Sequence, residues 1–406
     1  LSGQLSEYPF SGSSSKGNYI FNIIQIDYSN RFSPKHLLEA GTKIYLNHDT
    51  SDNITYNGPS STEAVDDEAS AIDMVQIKDV YAAYASYTGS FDKWSVKGGL
   101  RYELTRMGMR YKIGAYDDFT TYLHDLVPNA AVSYNLSSAS SLRFAYQMRI
   151  SRPDISQVNP YVSTLFPGQI NYGNPDLESE KGHVFSLGYS NYEGKVSGSA
   201  KLSYRYVNNS VNDVIFMRDN IMHSTYENIG TSHLGMLDLS ADWNINSKIR
   251  WSVYASGSYQ YIKAESEMLK ASNHGWQTYL STNMNYTHPS KWRLSVYGGF
   301  WTPWIDLQSK GTRNGYNYGL GLSKSWLKDD ALSLSVNLNN ILPAKNRSGY
   351  TQADDSIRLN YKQNYSQWNV GMSITYKIGG LTAGVKKTAA NIETDSSEGG
   401  SSKGGK

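Results

Sequence analysis

The residues that could do chemistry are few and scattered. The chain of 406 residues has eight histidines and no cysteine, which excludes thiolate metal sites, a disulfide scaffold and a cysteine nucleophile. No two of His36, His48, His124, His183, His223, His233, His274 and His288 show a zinc-like spacing with a third ligand. His124–Asp125 beside a serine-rich strand has the residue types of a hydrolytic triad, yet no nucleophile elbow accompanies it. Asp66, Asp67, Glu68 and Asp73 could offer carboxylate oxygens to a hard cation; the simpler reading is a solvated external loop. The pairs Gly98–Gly99 and Gly298–Gly299 precede no helix, so they suit a bend in a curved wall better than a phosphate cradle. No catalytic residue, metal or cofactor is therefore expected.

The elements that carry these residues are strands. The net charge of +2 leaves no electrostatic footprint for nucleic acid. Tyr, at 33 copies, and Gly, at 35, are abundant, and long aliphatic runs are missing. No stretch approaches the roughly 20 apolar residues of a membrane-spanning helix, and mean hydropathy is −0.53. Alternation, in contrast, is everywhere. Leu142, Phe144, Tyr146 and Met148 alternate with Arg143, Ala145, Gln147 and Arg149. The same period of two runs through Trp251–Tyr261, Leu332–Asn339 and Trp368–Lys377, the pattern of strands with one apolar and one polar face. Such a wall keeps its average hydropathy low even in lipid.

Fifteen strands are predicted, over 18–31, 36–56, 75–89, 93–112, 121–135, 140–150, 182–192, 195–217, 222–245, 248–264, 272–287, 291–306, 311–326, 331–342 and 356–378. Several are longer than the 5–6 residues of an average globular strand and reach the roughly 9–11 that span a bilayer. Their joins alternate. Short turns fall at Asn30–Lys35, Gly89–Lys93, Asn135–Ser140, Asn191–Lys195, Asn244–Lys248, His288–Lys291 and Leu327–Asp330. Between them come mostly longer loops, with 218–221 and 307–310 read as tight hairpins. Short periplasmic turns against long extracellular loops are the mark of an outer-membrane barrel. Phe91, Trp94, Trp243, Trp251, Trp292 and Trp326 lie beside the short turns, as an interfacial girdle would. Most prolines sit in turns or loops, whereas Pro128 and Pro303 fall inside predicted strands. An odd count cannot close a single-chain barrel, so strands are expected upstream of Leu1, with the Ser/Gly segment Ser11–Gly17 read as a loop.

The segment Arg149–Glu180 points to a family. Arg152–Pro153 after a strand, Asn159–Pro160, and then Gly173, Asn174, Pro175, Leu177 and Glu180 at the next strand resemble the loop-and-strand signature of TonB-dependent receptors. Lys97–Thr105, Val80–Tyr87, Leu126–Tyr134, Leu37–Lys43 and Ser373–Gly379 resemble the related Bacteroidota outer-membrane β-barrel family. The resemblance spans most of residues 36–379. It implies an all-β antiparallel transmembrane barrel, of which this chain holds about fifteen of a probable 22 strands, the rest and an N-terminal plug being absent. Residues 1–378 would then be partial barrel and 379–406 a polar, disordered periplasmic tail, without the terminal aromatic residue usual in such barrels. The implied partners are outer-membrane lipid, the plug, a TonB-type energy-coupling protein and a small or oligomeric solute.

The expected function is energised uptake of a scarce solute such as a siderophore, vitamin, glycan or peptide. The alternative is a passive porin, or a binding or structural barrel without energy coupling; a soluble all-β protein is disfavoured by the lack of a repeat. The signature residues are expected to shape the longest loop, with Glu180 free to pair with a lumen arginine. Tyr161, Phe166, Tyr172, Trp301, Trp304 and Tyr350 are the candidates for a ligand-facing surface. Arg101, Arg143, Arg149, Lys201 and Arg205 are expected on the polar lining. Asp or Arg at Val253 or Leu334 should block assembly, and the same change at Ser252 or Ser335 should be mild.

Overall fold

A computed structural model describes residues 10–378 except 64, 114–116, 167–168, 267–269, 342–345, 354–357 and 366. The wall begins with β1 (Phe10–Ser33), β2 (His36–Gly58), β3 (Val65–Phe91), β4 (Trp94–Ile113), β5 (Phe119–Asn135) and β6 (Ser140–Ser151). A one-turn helix α1 (Ile155–Val158) and the short strands β7 (Ser163–Phe166) and β8 (Gln169–Asn171) follow. The wall resumes with β9 (Glu180–Asn191), β10 (Val196–Arg218), β11 (Ile221–Asn244), β12 (Ile249–Glu265), β13 (Lys270–Thr287) and β14 (Trp292–Trp301). After β15 (Ser309–Gly311) come β16 (Gly315–Trp326) and β17 (Leu332–Asn339). A hairpin of β18 (Asn346–Ala353) and β19 (Arg358–Tyr365) precedes the last wall strand, β20 (Asn369–Tyr376).

Fifteen of these strands form one antiparallel meander. Each pairs with the next wall strand along the chain, from β1 through β6, β9 through β14, and then β16, β17 and β20. Among the described residues β1 and β20 each have one partner strand in this wall. Fourteen of the fifteen predicted strands match one wall strand each, and the last matches one over its second half. The differences lie at the loop end, where ladder hydrogen bonds carry strands past the point at which apolar alternation fades. Ser11–Gly17 is strand and not loop, paired residue for residue with 51–57 of β2. The expected loop 57–74 is mostly β3. The expected strand 356–378 is two strands that belong to different sheets. At 307–310 the chain does turn tightly, with Ile305 bridged to Lys310 and Asp306 N–H bonded to the Ser309 carbonyl at 2.9 Å, but β14 stops at Trp301, before Pro303, so the turn does not tip a long strand. The tip at Asp219–Asn220 is a two-residue turn with both φ positive, the geometry that matches strand twist. The tail 379–406 lies outside the described residues.

The outer face reads in rows. Across β9 to β13, cross-strand partners form Leu187–Leu202–Leu237–Gly257–Thr278 and, one step nearer the short turns, Tyr189–Ala200–Leu239–Ala255–Leu280. Their large side chains are exposed: Leu202 at 57% and Leu187 at 51%. Nearer still is an aromatic rim, where Trp243 packs on Trp251 with centroids 6.2 Å apart and Trp94 on Tyr134 at 4.7 Å. Lys324 lies with Nζ 5.2 Å from the Trp292 ring and donates to the Ser290 carbonyl, an amphipathic side chain bent toward the aqueous edge. The opposite limit is the row His183–Tyr206–His233–Tyr261–His274. From Trp243 to His233 is ten residues of β11. At about 3.3 Å per residue and the usual tilt of roughly 40°, this is about 25 Å of height, the thickness of an outer-membrane apolar band.

The inner face is polar and paired. Glu39 and Lys43 are buried; Ser86 donates to Glu39 at 3.2 Å, and Tyr254 donates to Asp238 at 2.7 Å. Arg101, Arg143, Arg149, Lys201 and Arg205 alternate onto this face, as expected. Pro128 does lie within β5, at the point where pairing to β6 ends, a place a proline can occupy because the ladder on that side stops.

Candidate functional site

The loop end of the wall is uneven, and this builds the site. β6 and β9 stop at Ser151 and Glu180, whereas β5 runs on past Pro128 to Phe119 and β10 runs on past Asn208 to Arg218. The notch between the tall strands is filled by residues 152–179. Val158 and Leu177 of this segment bury against Met107 and Leu123 on one side and pack against Val211 and Tyr226 on the other. Arg152, 6% exposed, forms an ion pair with Glu103 and donates through Nε to the Thr105 hydroxyl at 2.7 Å. Pro153 beside it is fully buried. Ser179 donates to Asp125 at 2.8 Å, closing the other end of the segment on β5.

The two Asn-Pro pairs lie side by side. Gly173 N–H donates to the Asn159 carbonyl at 2.8 Å and Asn174 N–H to that of Gln157 at 2.6 Å. Asn174 also donates to the Tyr226 carbonyl at 3.0 Å, while Tyr111 donates to the Asn159 side chain at 3.0 Å. Tyr172 N–H bonds the Ser224 carbonyl, and β8 runs parallel to residues 222–224 of β11. The edge it takes is the one β12 leaves at Gly230. Glu180 accepts from the backbone N–H of Val211 at 2.7 Å and not from a lumen arginine; the arginine that finds a carboxylate here is Arg152. A Cβ at Gly173 would stand 2.5 Å from the Asn159 carbonyl oxygen and 2.6 Å from that of Gln157. Gly173→Ala should therefore cost about 1–3 kcal/mol of thermal stability; an unchanged melting temperature would show that the loop does not depend on this approach.

A second segment also folds inward. Leu307 buries against Val214, Ile262 and Ala264, and Ile305 is buried beside it in the chain. Asn273 donates to the Asp306 carbonyl at 2.7 Å. Both segments thus border the β10–β11 hairpin, whose pairing shifts around Asn209, a residue with φ of 65°. A bulge of this kind re-aims the side chains beyond it. Beyond it His223, Thr225 and Glu227 alternate along β11. His223 Nδ1, Thr225 Oγ1, Glu227 Oε2 and, from the second segment, Gln308 Nε2 are buried with no hydrogen bond among the described residues. Each such group costs about 1–3 kcal/mol if left dry, so this hairpin is one place where the wall still offers polar contacts, with Asn47 and Asp49 of β2 and Arg106 of β4 in the same condition elsewhere. Tyr172 meets the His223 ring edge-on at 6.1 Å, and Phe216 stacks on it at 5.1 Å.

The expected ligand-facing residues are spread over the two segments, the end of β14 and the small sheet. Tyr161 and Tyr172 are half-buried in the first segment. Trp301 ends β14 with its ring over Gly315, and Trp304 is 49% exposed in the second. Phe166 belongs to β7, and Tyr350 pairs with Tyr361 and Gly311 in the small sheet; their side chains lie outside the described residues. His223, Thr225 and Glu227 escape a sequence reading, because the bulge beside them leaves no mark in composition, and Gln308 because its burial comes from a segment folding back between β14 and β15. Among the described residues no three His, Asp or Glu side chains group as metal ligands.

Burial pushes the Tyr111 hydroxyl above the usual tyrosine range, with Tyr161 and Asp118 adding to it and the Asn159 bond opposing. Tyr226 is raised by burial and then by Asp213 and Asp154. Both stand on strand extensions beyond the apolar band. A phenol held protonated in the folded state binds its proton more tightly than in the unfolded chain, so stability falls as pH rises past about 10. Protease protection of residues 152–179 should accordingly fade above that pH, and fade less in Tyr111→Phe. Identical protection of both proteins across the alkaline range would contradict this.

A polar inner face, an apolar band between two aromatic rims, and long loops at one end only define an outer-membrane β-barrel wall. The chain belongs to the outer membrane protein beta-barrel family, whose model matches residues 3–376. It lies in the outer membrane. No curated protein matches it in sequence. Its fold is similar to solved TonB-dependent receptors. These include the ferric citrate transporter FecA in its unliganded form, with TM-score 0.63 and 15% identity over 90% of this chain and 55% of that one. The copper transporter OprC gives 0.63 and 13%, over 90% and 57%. The Serratia marcescens hemophore receptor HasR, solved with its hemophore HasA and heme, gives 0.63 and 12%, over 90% and 59%. The chain thus spans between 55% and 59% of the length of these three proteins.

Proposed function

We propose that this wall serves energised uptake, as part of a TonB-dependent transporter for a scarce solute such as a siderophore, vitamin, glycan or peptide. A plug and a TonB-type coupling protein would act with it, and no reaction is catalysed. The observation that carries the reading is the β10–β11 hairpin. Two inward-folded segments converge on it, and it keeps buried polar atoms without partners. A structural barrel gains nothing from such atoms, whereas a solute or a plug would satisfy them. The resemblance of the transporters named above supports the same reading at the level of fold.

The test is uptake by cells carrying the full-length protein. A deletion strain should lose growth on one class of limiting nutrient, and uptake of that nutrient should stop when a protonophore collapses the inner-membrane gradient. Uptake indifferent to the gradient, together with steady open-channel conductance of the full-length protein in planar bilayers, would leave the passive porin in its place.

A further inference from the structure

The lipid-facing surface carries an ordered feature that solute uptake does not use. Four pairs of adjoining strands bring a tyrosine hydroxyl to Nδ1 of a histidine: Tyr87 to His36 at 2.6 Å beside a short turn, and, toward the loop end, Tyr102 to His124 at 2.8 Å, Tyr146 to His183 at 2.9 Å and Tyr204 to His233 at 2.7 Å. The register is the same each time. The residue opposite the tyrosine (Leu38, Leu126, Phe185 or Gly235) lies two positions from the histidine. With the hydroxyl donating to Nδ1, the imidazole proton stands on Nε2 and can be offered away from the tyrosine. The next row outward is Lys181–Asn208–Thr231–Lys263–Ser272, with two cations and no carboxylate. Lys263 meets Glu265 at 2.8 Å, but Lys270 stands opposite Glu265, so the group stays net positive.

Directly below His233 the surface is hollow. Gly235 and Gly257 face outward in consecutive rows, and a Cβ built on either would meet nothing within 4 Å. Gly235 is flanked by Tyr204 and Tyr259 in its row. The hollow therefore has an apolar floor in the membrane band, and a donor and cations at its upper mouth.

We infer that this hollow binds a phosphate-bearing lipid of the outer leaflet. One acyl chain lies over Gly235 and Gly257, and the phosphate accepts from His233 and faces Lys263. A phosphate is favoured because the histidine and lysine rows hold no carboxylate of their own and the neighbouring Glu265 is outweighed by Lys263 and Lys270.

The test uses the full-length protein, purified in mild detergent and offered one acylated disaccharide lipid with or without its phosphate. Native mass spectrometry counts retained lipid. The wild type should hold one phosphorylated lipid and retain it about tenfold better than the phosphate-free form. Gly235→Leu with Gly257→Leu should lower retention of both forms. His233→Leu with Lys263→Gln should remove the preference for phosphate and leave retention of the phosphate-free form unchanged. Equal retention of the two forms by the wild type, or glycine variants that hold as much lipid as the wild type, would overturn the site and leave an ordinary interfacial belt. The wild-type comparison stands even where a variant fails to assemble.

Discussion

Leu239→Arg is expected to leave the protein largely outside the membrane, while Ser240→Arg assembles. Leu239 lies four residues from Trp243 and six from His233 along β11, close to the middle of the apolar band, and is 43% exposed on the lipid side. A guanidinium there costs about 2–4 kcal/mol at the midplane. Ser240 faces the lumen beside Ser199, with their hydroxyls 2.8 Å apart, where a charged side chain meets water. The measure is the folded fraction in the outer-membrane pellet, scored by heat-modifiable migration. Equal assembly of the two variants would remove the distinction between lipid and lumen faces. Val253 is a weaker probe, since it stands one row from the Trp243–Trp251 rim. Leu334 is not mid-span either: it lies opposite Lys324, in the row of Trp292, where an arginine can reach the aqueous edge.

The second large effect belongs to Arg152. Removing one partner of a buried ion pair costs about 3–5 kcal/mol, because the other charge stays in place. Arg152→Ala leaves Glu103 with Arg101, so a value near 3 kcal/mol is expected. Arg152→Lys should recover little of it, since a lysine cannot hold Glu103 and Thr105 with a planar fork. The loss should appear as cleavage of residues 152–179 by added protease while the wall strands stay intact. Undiminished protection in Arg152→Ala would show that the notch is held by its apolar contacts, Leu177 with Met107 and Leu123, and not by the ion pair.

The two cases show what the sequence exposes and what it hides. Period two marks every wall strand inside the bilayer, because lipid and lumen impose opposite demands on successive residues, as on Leu202 and Ser203. Beyond the bilayer that demand ends. There β1 continues through Ser11–Gly17 on ladder hydrogen bonds alone, and Pro303 terminates β14 instead of kinking it. The signature loop was visible as Arg152, Pro153, Gly173, Asn174 and Leu177, but its partners were not. Glu103, Thr105 and Asp125 are brought to it by the register of β4 and β5. The buried atoms of His223, Thr225 and Glu227 depend on a bulge at Asn209, whose positive φ no composition announces. The tyrosine–histidine pairs were equally hidden, because the scattered histidines only align once strand register is known.

Because the chain contains no cysteine, single cysteines can be placed at will, and their labelling in intact cells tests the membrane placement most directly. Cysteines at Asp219 or Asn220, at the β10–β11 tip, should react with an impermeant maleimide in whole cells. Cysteines at Asp92 or Gly194, in the short turns, should react only after the outer membrane is opened. A cysteine at Leu239 should stay unreactive in both. Labelling of Asp92 and Asp219 alike in intact cells, or of Leu239 at the rate of a water-exposed thiol, would contradict a wall that spans the outer membrane with its long loops outside.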